Sequence, residues 1–307
     1  MFSFLKSKNK SGLVGLEIRA DGISLALSHV GSSGSFQVSS CLHRACTSAQ
    51  RQETLDDLID ELGVSGLPCH LVLSSAQYKI YPIEKPKVED SELSEAARWK
   101  VKDLLDFELE EAVTDVYKFP EDALRGRPAQ INVVVSRKSV IADNVKLLSE
   151  SRLKLEKIDI IDLAIRNVAL RISDGDQRTT AVLYLRDGAG IIVLCKGDAM
   201  YFSRHFDFSL QSLNEPSQQE SVIQQLALEV QRSFDYFQSQ LGQVPPQKLF
   251  LIGPTPLVPL GNMLGGNISA KVEALDLSLC FEGEQSTSQQ EINAFAAIGA
   301  ALGEIQS

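Results

Sequence analysis

The two halves of the chain open with a similar pattern of hydrophobic and polar positions. Residues 13–27 read LVGLEIRADGISLAL and residues 180–194 read TAVLYLRDGAGIIVL. In each segment two apolar, partly alternating runs flank a turn that contains Asp-Gly, which predicts a β-hairpin. The segments EIRADGISLAL and YLRDGAGIIVL can be written over one another, and this places Arg19 opposite Arg186. A repeat at the start of both halves indicates an internal duplication.

Strand and helix patterns alternate along the rest of the chain. The longest helix pattern spans 221–241, where apolar residues recur at spacings of three and four and predict a buried stripe. The stripe consists of Val222, Leu226, Val230, Phe234, Phe237 and Leu241. The other predicted strands are 36–42, 70–74, 131–136, 155–160 and 248–252, and the other predicted helices include 53–62, 91–107, 139–152 and a final helix with a capping box at Ser288 and Glu291. This alternation predicts an α/β fold with two lobes.

The composition excludes several classes of protein. The 307 residues carry 30 basic and 40 acidic side chains, a net charge of −10, which argues against a general nucleic-acid or anionic-membrane surface. The 44% hydrophobic and 23% charged fractions are those of a globular protein. No apolar run approaches the ~20 residues of a membrane span. Five cysteines and four histidines lack metal-type spacing, so we predict a reducing compartment and no metal site.

Four segments, in order along the chain, carry a family resemblance. They read EKPKVEDSELSEAARWKVKDLLDFELEEAVTDVY, INVVVSRKSVIADNVKLLSESRLKLEKIDIIDLAIRNVAL, LALEVQRSFDYFQSQLG and INAFAAIGAALG. Together they resemble the PilM family of type IV pilus assembly proteins. The surroundings of Trp99 and the segment 234–240 are the specific parts of this resemblance.

The resemblance implies an actin-like ATPase fold with two lobes and a subdomain inserted in the first lobe. On this basis we predict a basic N-terminal tail at 1–11, a first lobe at 12–178 and a second lobe at 179–307. The inserted subdomain covers about 81–159. We assign the C-terminal helix 289–304 to the second lobe and leave open that it packs back on the first lobe.

The resemblance also implies a partner. Proteins of this family are cytoplasmic and peripheral to the inner membrane, where they hold the short cytoplasmic N-terminal tail of a single-span, PilN-like protein within the pilus platform. We expect that tail in a groove between the first subdomain and the inserted one, paired with a strand edge. By location alone, the candidate groove residues are Ile80, Pro82, Trp99 and Val133. Trp99 lies off the apolar face of its helix, which favours a binding surface. The alternative is that the inserted subdomain packs this helix on two sides, so that Trp99 is buried.

Two phosphate-binding hairpin loops of the family have changed residues here. In the first loop, Glu17 stands in place of the family's Asp, Arg19 in place of its close-approach Gly, and Ser24 in place of its Lys. In the second loop, Tyr184 replaces the metal-side Asp and Arg186 replaces the Gly. Side chains as large as arginine are expected to fill the space in which a backbone N–H meets a phosphate.

The loop that contacts adenosine in the family, usually G-G-G, reads Gly253-Pro254-Thr255 and has lost one backbone donor. We therefore expect a degenerate cleft, no ATP or Mg cofactor, and a non-enzymatic pseudo-ATPase scaffold. The alternative is a working ATP-binding switch or ATPase, in which Arg19 and Arg186 hold phosphate as cations. A third, weaker alternative is the cytoplasmic portion of a type II secretion platform protein. Those chains usually continue into a membrane span, whereas this sequence ends at Ser307.

The first ten residues combine Phe2, Phe4 and Leu5 with three lysines. We expect this segment to be a disordered tail. The alternative is a weak contact with a membrane surface, formed once a partner already holds the protein there.

Overall fold

The computed structural model describes residues 12–31, 34, 36–173, 178–253, 257–281 and 289–303. The predicted tail 1–11, the loop positions Pro254 and Thr255, and the capping residue Ser288 lie outside these residues. The described chain forms two five-stranded sheets and one three-stranded sheet, with helices between and around them. Among the described helices, none has the length and apolar character needed to cross a bilayer.

The elements of the described chain follow one another as an α/β pattern. The strands are β1 (Leu13–Ile18), β2 (Gly22–Val30), β3 (Phe36–Ala45), β4 (Pro68–Leu73), β5 (Tyr78–Glu84), β6 (Ala112–Lys118), β7 (Gln130–Arg137), β8 (Lys154–Ile160), β9 (Thr180–Arg186), β10 (Ala189–Lys196), β11 (Ala199–Phe206), β12 (Lys248–Ile252) and β13 (Lys271–Ala274). The helices are α1 (Arg51–Leu62), α2 (Leu93–Lys100), α3 (Lys138–Ser149), α4 (Ile161–Ile172), α5 (Leu210–Asn214), α6 (Gln219–Ser239), α7 (Leu257–Gly265), α8 (Gln289–Asn293) and α9 (Phe295–Ala301).

The two large sheets have the same topology. The first has the strand order β3-β2-β1-β4-β8, and the second has the order β11-β10-β9-β12-β13. In each, three antiparallel strands are followed by two parallel strands. The hairpins that the sequence repeat predicts are β1–β2 and β9–β10. In the second hairpin, Gly188 has a φ of 82°, which lies in the left-handed region that favours glycine.

Two helices, α4 and α9, lie between the large sheets. Their apolar side chains share one core with residues from both sheets. On the outer sides, α1 and α3 cover the first sheet, and α6 and α7 cover the second. The predicted stripe of the longest helix packs into this last core, because its apolar positions face one side of α6.

The C-terminal segment packs on the sheet of the first lobe. Its predicted single helix is divided at Ala294 into α8 and α9. Where α9 crosses β1, a Cβ atom on Gly15 would lie 1.9 Å from the carbonyl oxygen of Ala297. Where α9 meets α4, a Cβ atom on Gly299 would lie 2.3 Å from the carbonyl oxygen of Ala164. The small residues of this segment therefore allow backbones to touch.

The inserted unit is smaller than the predicted range 81–159, and this corrects that boundary. Its antiparallel sheet has the order β5-β7-β6, and α2 covers one face. Strand β8, which the predicted range includes, pairs in parallel with β4 of the first sheet. Helix α3 packs into the core of the same sheet through Leu148. The unit with its own core therefore runs from Tyr78 to Arg137.

The predicted helix 91–107 is also shorter in the structure. Helix α2 ends at Lys100, and a 3-10 turn covers Lys102–Leu104. Leu105 then becomes extended, with a φ of −81° and a ψ of 148°. This change turns Leu105 and Phe107 back onto the core beneath α2. The apolar positions after Lys100 are therefore buried by a loop and not by a continued helix.

Candidate functional site: an ion-paired cleft and an uncharged pocket

The cleft between the lobes contains a buried carboxylate between two guanidinium groups. Glu17, near the end of β1, has a fully buried side chain. Arg19 Nη1 lies 3.0 Å from Glu17 Oε2, and Arg186 Nη1 lies 3.5 Å from Glu17 Oε1. The two arginines that the sequence repeat aligns thus meet at one carboxylate. Arg186 ends β9, so it reaches Glu17 from the opposite lobe.

Further contacts of this cluster hold the C-terminal segment. The guanidinium of Arg19 also pairs with Asp21 at 2.9 Å and donates to the backbone carbonyl of Asn293 at 2.9 Å. Ser24 Oγ donates to the same carbonyl at 3.1 Å. Asn293 ends α8 just before α9. Side chains at the predicted phosphate-loop positions therefore bind the start of the C-terminal helix.

Tyr184 and Gly253 complete the predicted cleft residues. The Tyr184 ring packs on Phe295 with the ring centroids 4.9 Å apart, and burial raises the pKa of the Tyr184 hydroxyl to about 12. A Cβ atom on Gly253 would lie 2.7 Å from the carbonyl oxygen of Leu185, so this glycine permits a close backbone contact beside the second hairpin. The residues that meet in the cleft are Glu17, Arg19, Ser24, Tyr184 and Arg186.

A cavity of about 510 Å³ opens in front of these side chains. Its charged lining is mixed, because Arg19 and Arg186 are accompanied by Asp21 and Asp187. Burial raises the pKa of Glu17, and the two neighbouring guanidinium groups oppose that rise. Across the described ranges, no cluster of three or more His, Cys, Asp or Glu side chains is placed to hold a metal ion. The guanidinium groups of Arg19 and Arg186 form ion pairs with carboxylates of the protein itself.

A second, uncharged pocket of about 150 Å³ lies between the inserted sheet and the second lobe. One wall is the face of β5, β6 and β7 that points away from α2, and the other is β11 with the end of α6. Phe202 and Tyr236 pack with their ring centroids 5.1 Å apart. The lining residues are Ile80, Pro82, Tyr117, Phe119, Asn132, Met200, Tyr201, Phe202, Ser203 and Tyr236.

Two polar side chains in this pocket have no hydrogen-bond partner. Tyr117 and Asn132 lie opposite each other in the register of β6 and β7. Among the residues that the structure describes, neither the Tyr117 hydroxyl nor the Asn132 side-chain amide makes a hydrogen bond, although Asn132 is only 8% exposed. Burial raises the pKa of the Tyr117 hydroxyl, which keeps it a neutral donor. Neither polar group is fully buried, so each is accessible from the pocket, and a ligand that pairs with them gains about 0.5–1.5 kcal/mol for each hydrogen bond.

The loop between β6 and β7 attaches the inserted unit to the second lobe. The Tyr201 hydroxyl donates to both carboxylate oxygens of Asp122, at 2.7 and 2.9 Å. Arg125 and Arg127 donate to the carbonyls of Ser239 and Gln240, at 3.1 and 2.8 Å. Cations are favoured at this C-terminal end of α6 by the helix dipole. Because Tyr201 also lines the pocket, this attachment fixes one side of it.

The four predicted groove residues do not share a surface. Ile80 and Pro82 line the pocket, but that pocket faces the second lobe and not the rest of the first lobe. Val133 is fully buried under α2, because neighbouring residues of a strand point to opposite faces. Trp99 is 57% exposed on α2 and donates Nε1–H to Glu95 at 3.0 Å. The alternative of packing on two sides is therefore wrong for Trp99.

Sequence reasoning missed Tyr117, Asn132 and the buried Asp162. A polar residue inside an apolar run marks either a solvated face or a special environment, because burial without a partner is costly. In this chain INVVVS contains Asn132, and IDIIDLAI contains Asp162. The sequence pattern could therefore mark these two positions, but it does not show which groups surround their side chains.

Structural comparison defines the class of fold. No family model and no curated protein sequence matches the chain. A Bacteroides thetaiotaomicron protein described as having an actin-like ATPase fold aligns with a TM-score of 0.52 and 13% identity, over 92% of this chain and 96% of that chain. The two sheets of equal strand order, with helices between them, therefore form an actin-like ATPase fold.

Two solved structures from bacterial assembly machines are also similar. A structure described as the PilM-PilN type IV pilus biogenesis complex aligns with a TM-score of 0.76 and 21% identity, over 94% of this chain and 97% of that chain. The cytoplasmic domain of EpsL, an inner-membrane component of the Vibrio cholerae type II secretion system, aligns with a TM-score of 0.56 and 11% identity, over 96% of this chain and 97% of that chain. At these identities the similarity establishes the fold.

Proposed function

We propose that this chain is a non-enzymatic scaffold in a type IV pilus assembly platform of the mannose-sensitive haemagglutinin (MSHA) kind, similar to MshI. It binds the cytoplasmic N-terminal tail of a PilN-like inner-membrane protein, stays in the cytoplasm next to that membrane, and contacts other platform proteins. The fold match to the PilM-PilN structure over nearly the whole chain supports this role. The short basic N-terminal sequence and the changed loops favour the MSHA kind.

The single observation that carries this proposal is the uncharged pocket with its unpaired polar groups. An extended peptide presents apolar side chains together with backbone N–H and C=O groups. The Asn132 amide offers both a donor and an acceptor, and the Tyr117 hydroxyl offers a second polar contact. The surrounding aromatic and aliphatic residues suit an apolar side chain of the partner. The pocket therefore matches a neutral peptide segment.

The cleft supports a scaffold without nucleotide. Arg19 and Arg186 are paired with Glu17, and Arg19 is also paired with Asp21. A Mg-nucleotide would have to replace these ion pairs and would bring phosphate charge next to the buried carboxylate of Glu17. The residues of the cleft thus do not fit Mg-ATP, and we propose that the chain is a pseudo-ATPase.

A second candidate function is an ATP-binding switch in the same machinery. The cavity of about 510 Å³ beside Arg19 and Arg186 favours it, because guanidinium groups bind phosphate in a bidentate manner. In such a switch, nucleotide binding would change the distance between the two lobes and so alter the pocket for the partner. A rise in unfolding temperature with Mg-ATP would favour this switch over the pseudo-ATPase.

The substitution Asn132→Leu tests the role of the pocket. A synthetic peptide of the PilN-like partner's cytoplasmic tail is titrated into the full-length protein by calorimetry. We expect the variant to bind about twofold to tenfold more weakly, since a paired amide contributes about 0.5–1.5 kcal/mol. Its urea midpoint stays close to that of the wild type, because the amide that is removed makes no hydrogen bond within the described chain.

A matched control is Asn144→Leu. Asn144 is also buried, but its amide donates to the carbonyl of Val140 at 3.0 Å and does not line the pocket. This variant should lose stability and keep the wild-type affinity for the tail peptide. Wild-type affinity in Asn132→Leu would contradict the proposed site.

A further inference from the structure

Asp162 lies where three parts of the molecule meet. It is the second residue of α4, and its side chain is fully buried. Its carboxylate accepts hydrogen bonds from the hydroxyls of Tyr78 and Ser203 and contacts His205 Nε2 at 2.8 Å. Tyr78 begins β5 of the inserted sheet, whereas Ser203 and His205 belong to β11 of the second lobe. One carboxylate of the first lobe thus holds a strand from each of the other two units.

The donors compensate the burial of this carboxylate. Burial raises the pKa of Asp162, but the hydrogen bond and charge of His205 and the two hydroxyl bonds outweigh it, so the pKa lies below the ordinary value. Asp162 is therefore ionised at neutral pH, and its hydrogen bonds are of the stronger, charge-assisted kind. Burial and the nearby Asp162 charge raise the pKa of the Tyr78 hydroxyl, which keeps that hydroxyl a donor.

These contacts connect the two walls of the uncharged pocket. Ile80, two residues beyond Tyr78 on β5, belongs to one wall, and Ser203 belongs to the other. Strands β5 and β11 are edge strands of two different sheets, so no backbone ladder joins them in the described chain. Their separation therefore depends on side-chain contacts, and the Asp162 cluster holds both strands by hydrogen bonds.

We propose that Asp162 is a positioning residue for partner binding, which fixes the separation of β5 and β11 by holding Tyr78, Ser203 and His205. The proposal rests on the proposed function of the pocket as the site of the partner's tail. Asp162 is not among the residues that line the pocket, so it acts through the two walls. When one donor is lost, the walls move more freely and a bound segment leaves sooner.

The test uses two donors that do not line the pocket, Tyr78 and His205. In Tyr78→Phe and His205→Leu the carboxylate keeps its other donors, so the fold is retained. We expect the tail peptide to bind about threefold to tenfold more weakly to each, mainly through faster dissociation. His205→Gln, which keeps an N–H donor, should restore the affinity towards the wild-type value.

The matched control is Tyr81→Phe. The Tyr81 hydroxyl donates to the carbonyl of Leu104 at 3.1 Å, on the other face of the same strand, and takes no part in the Asp162 cluster. This variant should bind the tail peptide as the wild type does. It therefore separates the loss of the Asp162 contact from the loss of any tyrosine hydroxyl on β5.

Amide hydrogen exchange of the full-length protein without peptide gives a readout that does not depend on the partner. We expect faster exchange in 78–84 and 199–206 for Tyr78→Phe and His205→Leu, and wild-type exchange for His205→Gln and Tyr81→Phe. Wild-type affinity in both donor variants overturns the proposal. If the wild type does not bind the tail peptide, the proposed function fails. In that case, unchanged exchange in Tyr78→Phe and His205→Leu overturns the role of Asp162 as well. Faster exchange in these variants supports the role of Asp162 in holding the two strands.

Discussion

Glu17 and Asp162 are buried carboxylates that join the first lobe to other parts of the molecule by different chemistry. Glu17 is neutralised by two guanidinium groups, one of which comes from the second lobe. Asp162 is held by two hydroxyls and an imidazole nitrogen. In both cases one carboxylate has donors from distant segments, so its removal affects the contact between units as well as the local structure.

Replacing Glu17 by Ala leaves Arg19 and Arg186 without their shared counter-charge. Removing one partner of a buried ion pair costs about 3–5 kcal/mol, and we expect about 3 kcal/mol here because Arg186 is partly exposed. Urea unfolding measures the change. The control Glu111→Ala removes an exposed pair with Arg137 at 3.3 Å and should change the unfolding free energy by less than about 1 kcal/mol. Equal, small losses in the two variants would contradict the role given to Glu17.

The lowered pKa of Asp162 predicts how its contribution depends on pH. A carboxyl group whose pKa is lowered by folding stabilises the fold above its unfolded pKa, and this contribution is lost as the pH falls through the folded pKa. The unfolded value is near 3.8. We therefore expect the wild type to be more stable than Asp162→Asn near neutral pH, and this difference to shrink below about pH 4.

Thermal unfolding of both proteins from about pH 7 to about pH 3 measures that difference. Asp143→Asn, at an exposed position of α3, serves as the control and should differ little from the wild type across the range. A stability difference between the wild type and Asp162→Asn that grows as the pH falls would show that the sign is wrong.

At the residue scale, the sequence could indicate the cleft, but of the pocket it indicated only Ile80 and Pro82. Glu17 and Arg19 lie within one hairpin, and Arg186 occupies the matching position of the repeat, so alignment alone brings them together. Asn132 and Val133 are neighbours on one strand, and only the register decides which of them faces the pocket. The donors of Asp162 come from three distant positions, which no local pattern can connect.

At the scale of elements, the close contact of α9 with β1 and α4 decides how the two lobes are joined. Both α4 and α9 lie in the core shared by the two sheets. Gly15 and Gly299 let the backbones approach to distances at which a Cβ atom would overlap a carbonyl oxygen. The small side chains of this helix are therefore a packing requirement of the fold.

The substitution Gly299→Ala tests this requirement. The added Cβ would lie 2.3 Å from the carbonyl oxygen of Ala164, so we expect a loss of about 3 kcal/mol in unfolding free energy. The matched control is Gly261→Ala in α7, where the nearest atom to the added Cβ is Val272 Cγ1 at 3.6 Å. That variant should be neutral or gain up to about 1 kcal/mol of helix propensity. Similar stability of both variants would argue against the close contact.

Element prediction worked where a turn signal or a one-sided apolar stripe marks the element. The two hairpins have Asp-Gly turns, although β1 and β9 are buried on both faces, and α6 has its apolar stripe on one face; the structure contains all of them. Helix α4 was not predicted as a helix, because it is buried between two sheets and has apolar residues around most of its surface. The end of α2 was also missed, since Leu105 and Phe107 are buried by tertiary contacts and not by a helical stripe.

At the scale of the whole molecule, three of the described side-chain clusters connect its parts directly. Glu17 and Arg186 join the two lobes across the cleft. Asp162 joins α4 to β5 and β11, and Asp122 joins the inserted unit to Tyr201 of the second lobe. Such direct contacts suit a scaffold that presents one fixed pocket to its partner, whereas a nucleotide switch needs two separations of the lobes.

Calorimetric titration of the PilN-like partner's cytoplasmic tail peptide into the full-length protein, with and without Mg-ATP, tests the proposed nucleotide-independent scaffold most directly. We predict saturable binding with the same Kd in both conditions, and weaker binding to Asn132→Leu in both. Binding that occurs only with Mg-ATP would mean that the cleft acts as a nucleotide switch. The absence of saturable binding in either condition would contradict the role as a scaffold for that tail.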